Sequence, residues 1–281
     1  MKNYTLAYSP CPNDTFIFAA LTNGLLSDAP HVDVELDDVE ALNLAAMDGK
    51  FALTKISYGA IPLLVDNYRI LRAGGALGRG CGPLVLAKPT SEGRAPSFDE
   101  LGPDAVYAIP GKHTTAFALL RLALGREPKT RVLRFDKIVD AVVTGEVDAG
   151  LIIHESRFTY QQTGLVQVVD LGDWWEHETG NPIPLGAILV RRDIGDGDAK
   201  EINEAIRRSL QFARTDEPAI IDYVREHAFE MSDDVMQAHI GLYVNEYSDD
   251  VGASGEAAVK DFFARIAAAG FVPAGTAPEF V

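Results

Sequence analysis

The sequence is short of positive charge: 25 lysines and arginines stand against 41 aspartates and glutamates, giving a formal net charge of −16. A surface of that sign repels phosphate backbones and anionic lipid, so neither nucleic acid nor a membrane is an expected partner. Cysteine is scarcer still. Cys11 and Cys81 are the whole complement, too few for a disulfide framework and without the four-ligand spacing of a zinc site, so no metal is assigned. Every apolar stretch is broken well short of the roughly 20 residues that a spanning helix needs. The opening residues have no apolar core of signal-peptide length and no small-residue cleavage site, which predicts a cytoplasmic location. Dinucleotide-binding and P-loop glycine signatures are missing as well. What remains is an ordinary globular composition, 47% hydrophobic and 23% charged over 281 residues, a length that suggests about two domains.

Short apolar strands alternate with amphipathic stretches, the order of an α/β fold with mainly parallel sheets. Strands are expected at residues 4–9, 32–36, 51–57, 83–87, 106–109, 132–135, 149–153 and 185–190. Helices are expected at 15–22 behind an Asn13 or Asp14 cap, at 39–47, 114–124 and 138–143, and repeatedly after residue 190. In that last stretch Ile202, Ile206 and Leu210 share a stripe, Pro218 starts another helix, and Ser232 and Ser254 are candidate caps. The glycine-rich segment 74–82 reads as a loop. Residues 89–103, rich in proline, glycine, serine and charge, mark a crossing between lobes. The predicted organisation is a discontinuous lobe of residues 1–88 and 187–281 and a second lobe of residues 89–186, with two crossings flanking a central cleft. Segments 49–57 and 145–154 both run from a helix-ending glycine through an apolar strand to polar groups, a hint that the lobes are alike.

Ligands of α/β sheets gather beyond the carboxyl ends of parallel strands, where helix starts present N–H groups. Thr114, Thr115 and Ala116 follow a strand and the Pro110-Gly111 turn, placing hydroxyls and backbone donors where a carboxylate or phosphate fits; Thr114 serves equally as a plain helix cap. Lys55 and Ser57 close an apolar strand, and the lysine either meets an acidic ligand or runs out to solvent. Asn13 and Asp14 are both capping and ligand-contacting types. Cys11, near a helix start, has no histidine beside it in sequence to activate it. His154 emerges from the apolar run 149–153, so an imidazole, a group that titrates near neutral pH, stands at a strand end suited to proton abstraction, although a lone histidine also serves packing. Trp174 and Trp175 either wall a cleft or pack a lobe edge.

Together these junctions resemble the 1,4-dihydroxy-6-naphthoate synthases of the futalosine route to menaquinone. The resemblance rests on Ser9-Pro10-Cys11-Pro12-Asn13-Asp14-Thr15-Phe16-Ile17-Phe18, Leu53-Thr54-Lys55-Ile56-Ser57-Tyr58, Gly74-Gly75-Ala76-Leu77-Gly78-Arg79-Gly80, His113-Thr114-Thr115-Ala116 and Gly150-Leu151-Ile152-Ile153-His154-Glu155-Ser156-Arg157-Phe158-Thr159-Tyr160, which lie in order along the chain. It implies a two-lobe periplasmic-binding-protein-like (type II) fold used as an enzyme, a carboxylated small-molecule substrate, cyclic dehypoxanthine futalosine, and a lyase step with no redox cofactor or metal. His154 is by resemblance the proton acceptor, and Lys55, Ile56, Ser57, Thr115 and Ala116 contact substrate; the junction argument adds Asn13 and Thr114. Two other functions share that fold: a solute-binding or sensing protein, and a chorismate dehydratase. By resemblance, the stretch 154–160 argues against the dehydratase.

Overall fold

The computed structural model describes residues 3–154, 156–228 and 232–281. It divides into two compact units, unit 1 formed by Met1–Gly78 with Pro184–Val281 and unit 2 by Arg79–Ile183. In chain order, unit 1 opens with β1 (Asn3–Tyr8), α1 (Pro12–Thr22), β2 (His31–Leu36), α2 (Val39–Met47), β3 (Leu53–Ser57), β4 (Tyr68–Ile70) and β5 (Ala76–Gly78). Unit 2 holds β6 (Leu84–Ala87), α3 (Phe98–Leu101), β7 (Val106–Ile109), α4 (Thr115–Leu124), β8 (Lys129–Val132), α5 (Ile138–Thr144), β9 (Ala149–Ile152), α6 (Ser156–Thr159), β10 (Val166–Asp170) and α7 (Leu171–Thr179). The chain returns through β11 (Ile183–Arg191) and ends in α8 (Asp196–Thr215), α9 (Ile221–His227), α10 (Asp233–Tyr243), α11 (Glu246–Asp249) and α12 (Gly252–Ala268). The first exchange lies ahead of β6, which joins the sheet of unit 2, whereas the sequence reading set it at residue 88.

Both sheets are mixed rather than mainly parallel. Unit 1 has the order β2-β1-β3-β11-β4, with β5 on β11; β1 runs parallel to β2 and β3, and β11 antiparallel to β3 and β4. Read in reverse, unit 2 has the order β8-β7-β9-β6-β10, with β7 parallel to β8 and β9, and β6 antiparallel to β9 and β10. The two units therefore share one strand plan. The resemblance between segments 49–57 and 145–154 falls on matching places in it, the helix-to-strand passages into β3 and into β9. The antiparallel members are the strands that follow each exchange between units, which alternation of strand and helix cannot signal.

Burial explains which segments fold as they do. In α1, Phe16, Ile17, Phe18 and Ala19 are all at most 5% exposed, so the helix is buried on every side and shows no apolar stripe in sequence. One of its neighbours is α8, whose Ile202, Ile206 and Leu210 enter the same core at 1% exposure or less. Each such side chain contributes about 1.5–3 kcal/mol by leaving water. Ser232 caps α10 by accepting from the Val235 N–H, as its position implies.

Three local expectations change. Neither Asn13 nor Asp14 caps α1, which starts at Pro12 behind Cys11, whose carbonyl accepts the N–H groups of Asp14 and Thr15, both at 3.0 Å. The strand expected at 132–135 lies at β8, which pairs with β7 along Lys129–Val132; its edge position leaves Lys129 and Arg131 exposed beside Asp104 and Glu146, so no apolar pattern marks it. Ser254 sits inside α12, which begins at Gly252, where the Gly252 N–H donates to Asp250 Oδ1 at 2.8 Å.

Candidate functional site

In unit 1 the candidate residues collect at the carboxyl ends of β1 and β3. Along β3 alternate side chains face opposite ways, so Lys55 and Ser57 share one face while Ile56, fully buried, faces the other and pairs in the sheet with Ala187 of β11. Lys55 does not run out to solvent. Its ammonium reaches Asp14 Oδ1 and donates to the Gly74 carbonyl at 3.1 Å, with Lys55 6% and Asp14 3% exposed. Asp14 also accepts from Ser9 Oγ at 2.8 Å and from Asn13 Nδ2 at 2.7 Å. The first turn of α1 is thus tied to β3 through a buried charge pair with its acceptors filled.

Ser57 is held separately. Asn43 of α2 accepts the Ser57 N–H at 2.9 Å and donates to Ser57 Oγ at 3.3 Å and to Glu40 at 3.0 Å. Nothing in the sequence singled out Asn43, an amide inside an amphipathic helix; its zero exposure is the signal, and burial is legible only once the helix is placed. Residues 74–77 of the glycine segment are committed to packing. Gly74 donates to the Ser248 carbonyl at 2.8 Å, Gly75 and Leu77 carbonyls accept from Ser248 and Asn245, and a side chain at Gly74 would meet Ile188 at 2.9 Å. Part of it is a strand, β5, rather than loop throughout.

In unit 2 the corresponding ends are those of β7 and β9. Thr114 is the N-cap of α4: its Oγ1 accepts the Phe117 N–H at 3.1 Å and donates to the Gly111 carbonyl at 2.9 Å. Thr115 and Ala116 occupy the first two helical positions, and all three residues are at most 4% exposed. Thr114→Ala is expected to destabilise the protein by about 1 kcal/mol, as loss of such a cap does, and Thr114→Ser to leave it unchanged; thermal unfolding of both variants measures this.

β9 delivers His154. Gly150 lies so close to α5 that an added side chain would meet Ile138 and Val142 at 2.7 Å, which keeps the strand tight against the helix. Beyond Ile152 the chain turns, and His154 takes φ +61°, a left-handed conformation uncommon outside glycine. Its half-buried ring stands edge-on to Phe135 with centroids 4.9 Å apart. Glu155 lies outside the described residues. Trp175 packs the interior of unit 2, donating from Nε1 to the Pro182 carbonyl at 3.1 Å. Neither cysteine is disposed as a nucleophile: both are buried, and burial pushes the Cys81 thiol up to about 12.

A family model described as menaquinone biosynthesis matches residues 4–268. The chain belongs to the menaquinone biosynthesis family. Among curated relatives, a 1,4-dihydroxy-6-naphthoate synthase of Thermus thermophilus is 50% identical over all of both chains. A second, of Streptomyces coelicolor, is 45% identical over 96% of this chain and 94% of its own length. Among solved structures, a protein of Archaeoglobus fulgidus, 34% identical, superposes with a TM-score of 0.88 over 96% of this chain and 98% of that one. The alkanesulfonate-binding protein of Xanthomonas axonopodis pv. citri, only 14% identical, superposes with a TM-score of 0.72 over 96% and 94%. This member of the menaquinone biosynthesis family therefore has the periplasmic-binding-protein-like fold that its motifs imply. Among its described residues no helix is long and apolar enough to cross a membrane.

Proposed function

We propose that the chain is a cytoplasmic lyase that converts cyclic dehypoxanthine futalosine to 1,4-dihydroxy-6-naphthoate. The observation that carries the reading is the 50% identity, end to end, to a synthase of that name, with the quoted motifs falling at strand ends and helix starts of both units. His154 accepts a proton from the substrate carbon beside an electron-withdrawing group. The electron pair of that C–H bond moves into the ring system as the bond to the sugar-derived fragment breaks, and the fragment leaves with the pair of the broken bond, so the step is redox-neutral.

Negative charge develops on the electron-withdrawing group, and fixed donors stabilise it best because they need no reorganisation. Ser57, aligned by Asn43, and the N–H groups at the start of α4 supply such donors, for the reacting oxygen or for the substrate carboxylate. Asn13, Lys55, Ile56, Thr114, Thr115 and Ala116 complete the substrate contacts. With its charge already matched by Asp14, Lys55 acts there by ordering β3 and the first turn of α1 as much as by attraction.

Incubation with cyclic dehypoxanthine futalosine and, separately, with chorismate, followed by mass spectrometry of the products, tests the reading. The naphthoate is expected from the first and no change in the second. Dehydration of chorismate would make the chain a chorismate dehydratase, and tight binding of either compound without conversion would make it a solute-binding protein.

A further inference from the structure

We propose that Arg157 is a positioning residue for His154, acting through the turn that carries the imidazole; the inference rests on the reading of His154 as proton acceptor. A non-glycine residue at φ +61° sits in strained backbone, and it persists only where its flanks are fixed. Upstream, Ile152 is paired with Leu84 in the sheet, so the chain is fixed to within two residues of His154. Downstream, the fixing group is Arg157. Its N–H closes the turn onto the His154 carbonyl at 3.4 Å. Its guanidinium donates from Nη1 to the Gly82 carbonyl at 3.0 Å and from Nη2 to Asp170 Oδ2 at 2.5 Å.

The acceptors are themselves rigid. Asp170 ends β10, pairs in register with the same Leu84, and uses its other oxygen to accept the N–H groups of Gly172 and Asp173 at the start of α7, at 2.8 and 3.3 Å. Gly82, at φ +141°, approaches Gly172 so closely that an added side chain would come within 2.9 Å of its backbone. Leu84 is thus the common reference for both ends of the turn: β9 enters it on one side, and β10 anchors its exit through Asp170 and Arg157 on the other. A planar guanidinium spans a carbonyl and a carboxylate at once, and the pair is largely withdrawn from solvent, with side chains 18% and 6% exposed. Without it the exit of the turn is released and the imidazole is free to move by about an ångström, a displacement on the scale that costs roughly 100-fold in rate.

The test measures kcat on the cyclic futalosine and the Kd of the naphthoate product for the wild type, Arg157→Ala, Asp170→Asn and His154→Ala. Arg157→Ala is expected to lose about 10- to 100-fold in kcat with product affinity within about threefold, because the turn orients the base and does not hold the ligand. Asp170→Asn keeps the oxygen that caps α7 but removes the charge facing Arg157, and a smaller fall in kcat is expected, again without loss of affinity. Wild-type kcat in a folded Arg157→Ala, or a loss of affinity as large as the loss of rate, overturns the proposal. Should Arg157→Ala fail to fold, wild-type kcat in Asp170→Asn overturns it. His154→Ala separates the two readings: if it too keeps full rate, the base has been misassigned and this inference falls with it, whereas a crippled His154→Ala beside an unimpaired Arg157→Ala removes only the role of Arg157.

Discussion

His154→Ala is expected to lower kcat by at least roughly 100-fold while product affinity changes by less than about tenfold, the scale of a lost general base. The separation follows from where the residue stands. Its ring is only half-buried and meets Phe135 edge-on, so deleting it opens no large cavity, and the backbone turn is braced from both sides by other residues. A companion His154→Asn variant keeps a residue type that tolerates left-handed backbone while removing the basic nitrogen, and the same loss of rate is expected from it. Single-turnover kinetics with dialysis of the product resolves the two quantities. A rate near wild type in both variants would falsify the assignment of the base.

The second large effect is on stability. Asp14→Ala leaves the Lys55 ammonium buried without its carboxylate, together with Ser9 and Asn13 groups that donated to it, and a loss of about 3–5 kcal/mol is expected, the cost of breaking a buried ion pair from one side. For a protein of this size that lowers Tm by about 2–4 °C per kcal/mol. The double variant Asp14→Asn with Lys55→Met removes the orphaned charge and is expected to recover more than half of the loss, since two neutral side chains do not carry the desolvation penalty. Denaturant titration of the two variants beside the wild type checks both statements. An Asp14→Ala protein as stable as the wild type would mean that Lys55 finds another partner.

How much of this could be read from sequence differs between the elements and the contacts. The helix at Val39–Met47 and the strand at Val106–Ile109 lie where periodicity and turn residues place them, because local patterning and burial agree there. β8 lies three residues ahead of its expected place because it pairs with β7 along Lys129–Val132, where polar side chains on a sheet edge leave no apolar pattern to read. The strand ends carrying Lys55, Ser57 and His154 were visible as apolar runs closing on polar residues. The partners were not: Asp14 is 41 positions from Lys55 and Asn43 is 14 from Ser57, and no spacing rule within one helix or strand connects residues so far apart. Asp14 in particular looked like a capping residue, and its side chain turned out to be spent on a pairing that only the adjacency of β1 and β3 makes available.

The strand plan also orders events during synthesis. Unit 2 is one uninterrupted stretch, Arg79–Ile183, whose five strands have all been translated before β11 is complete. Unit 1 lacks at that moment the strand between β3 and β4, whose residues 186–190 pair with residues 53–57, and it also lacks α8, which shares a core with α1. On the ribosome the inserted half can therefore finish its sheet first, while the opening 78 residues wait with an unfilled edge on β3, the interval in which a nascent chain has most need of protection from wrong pairing.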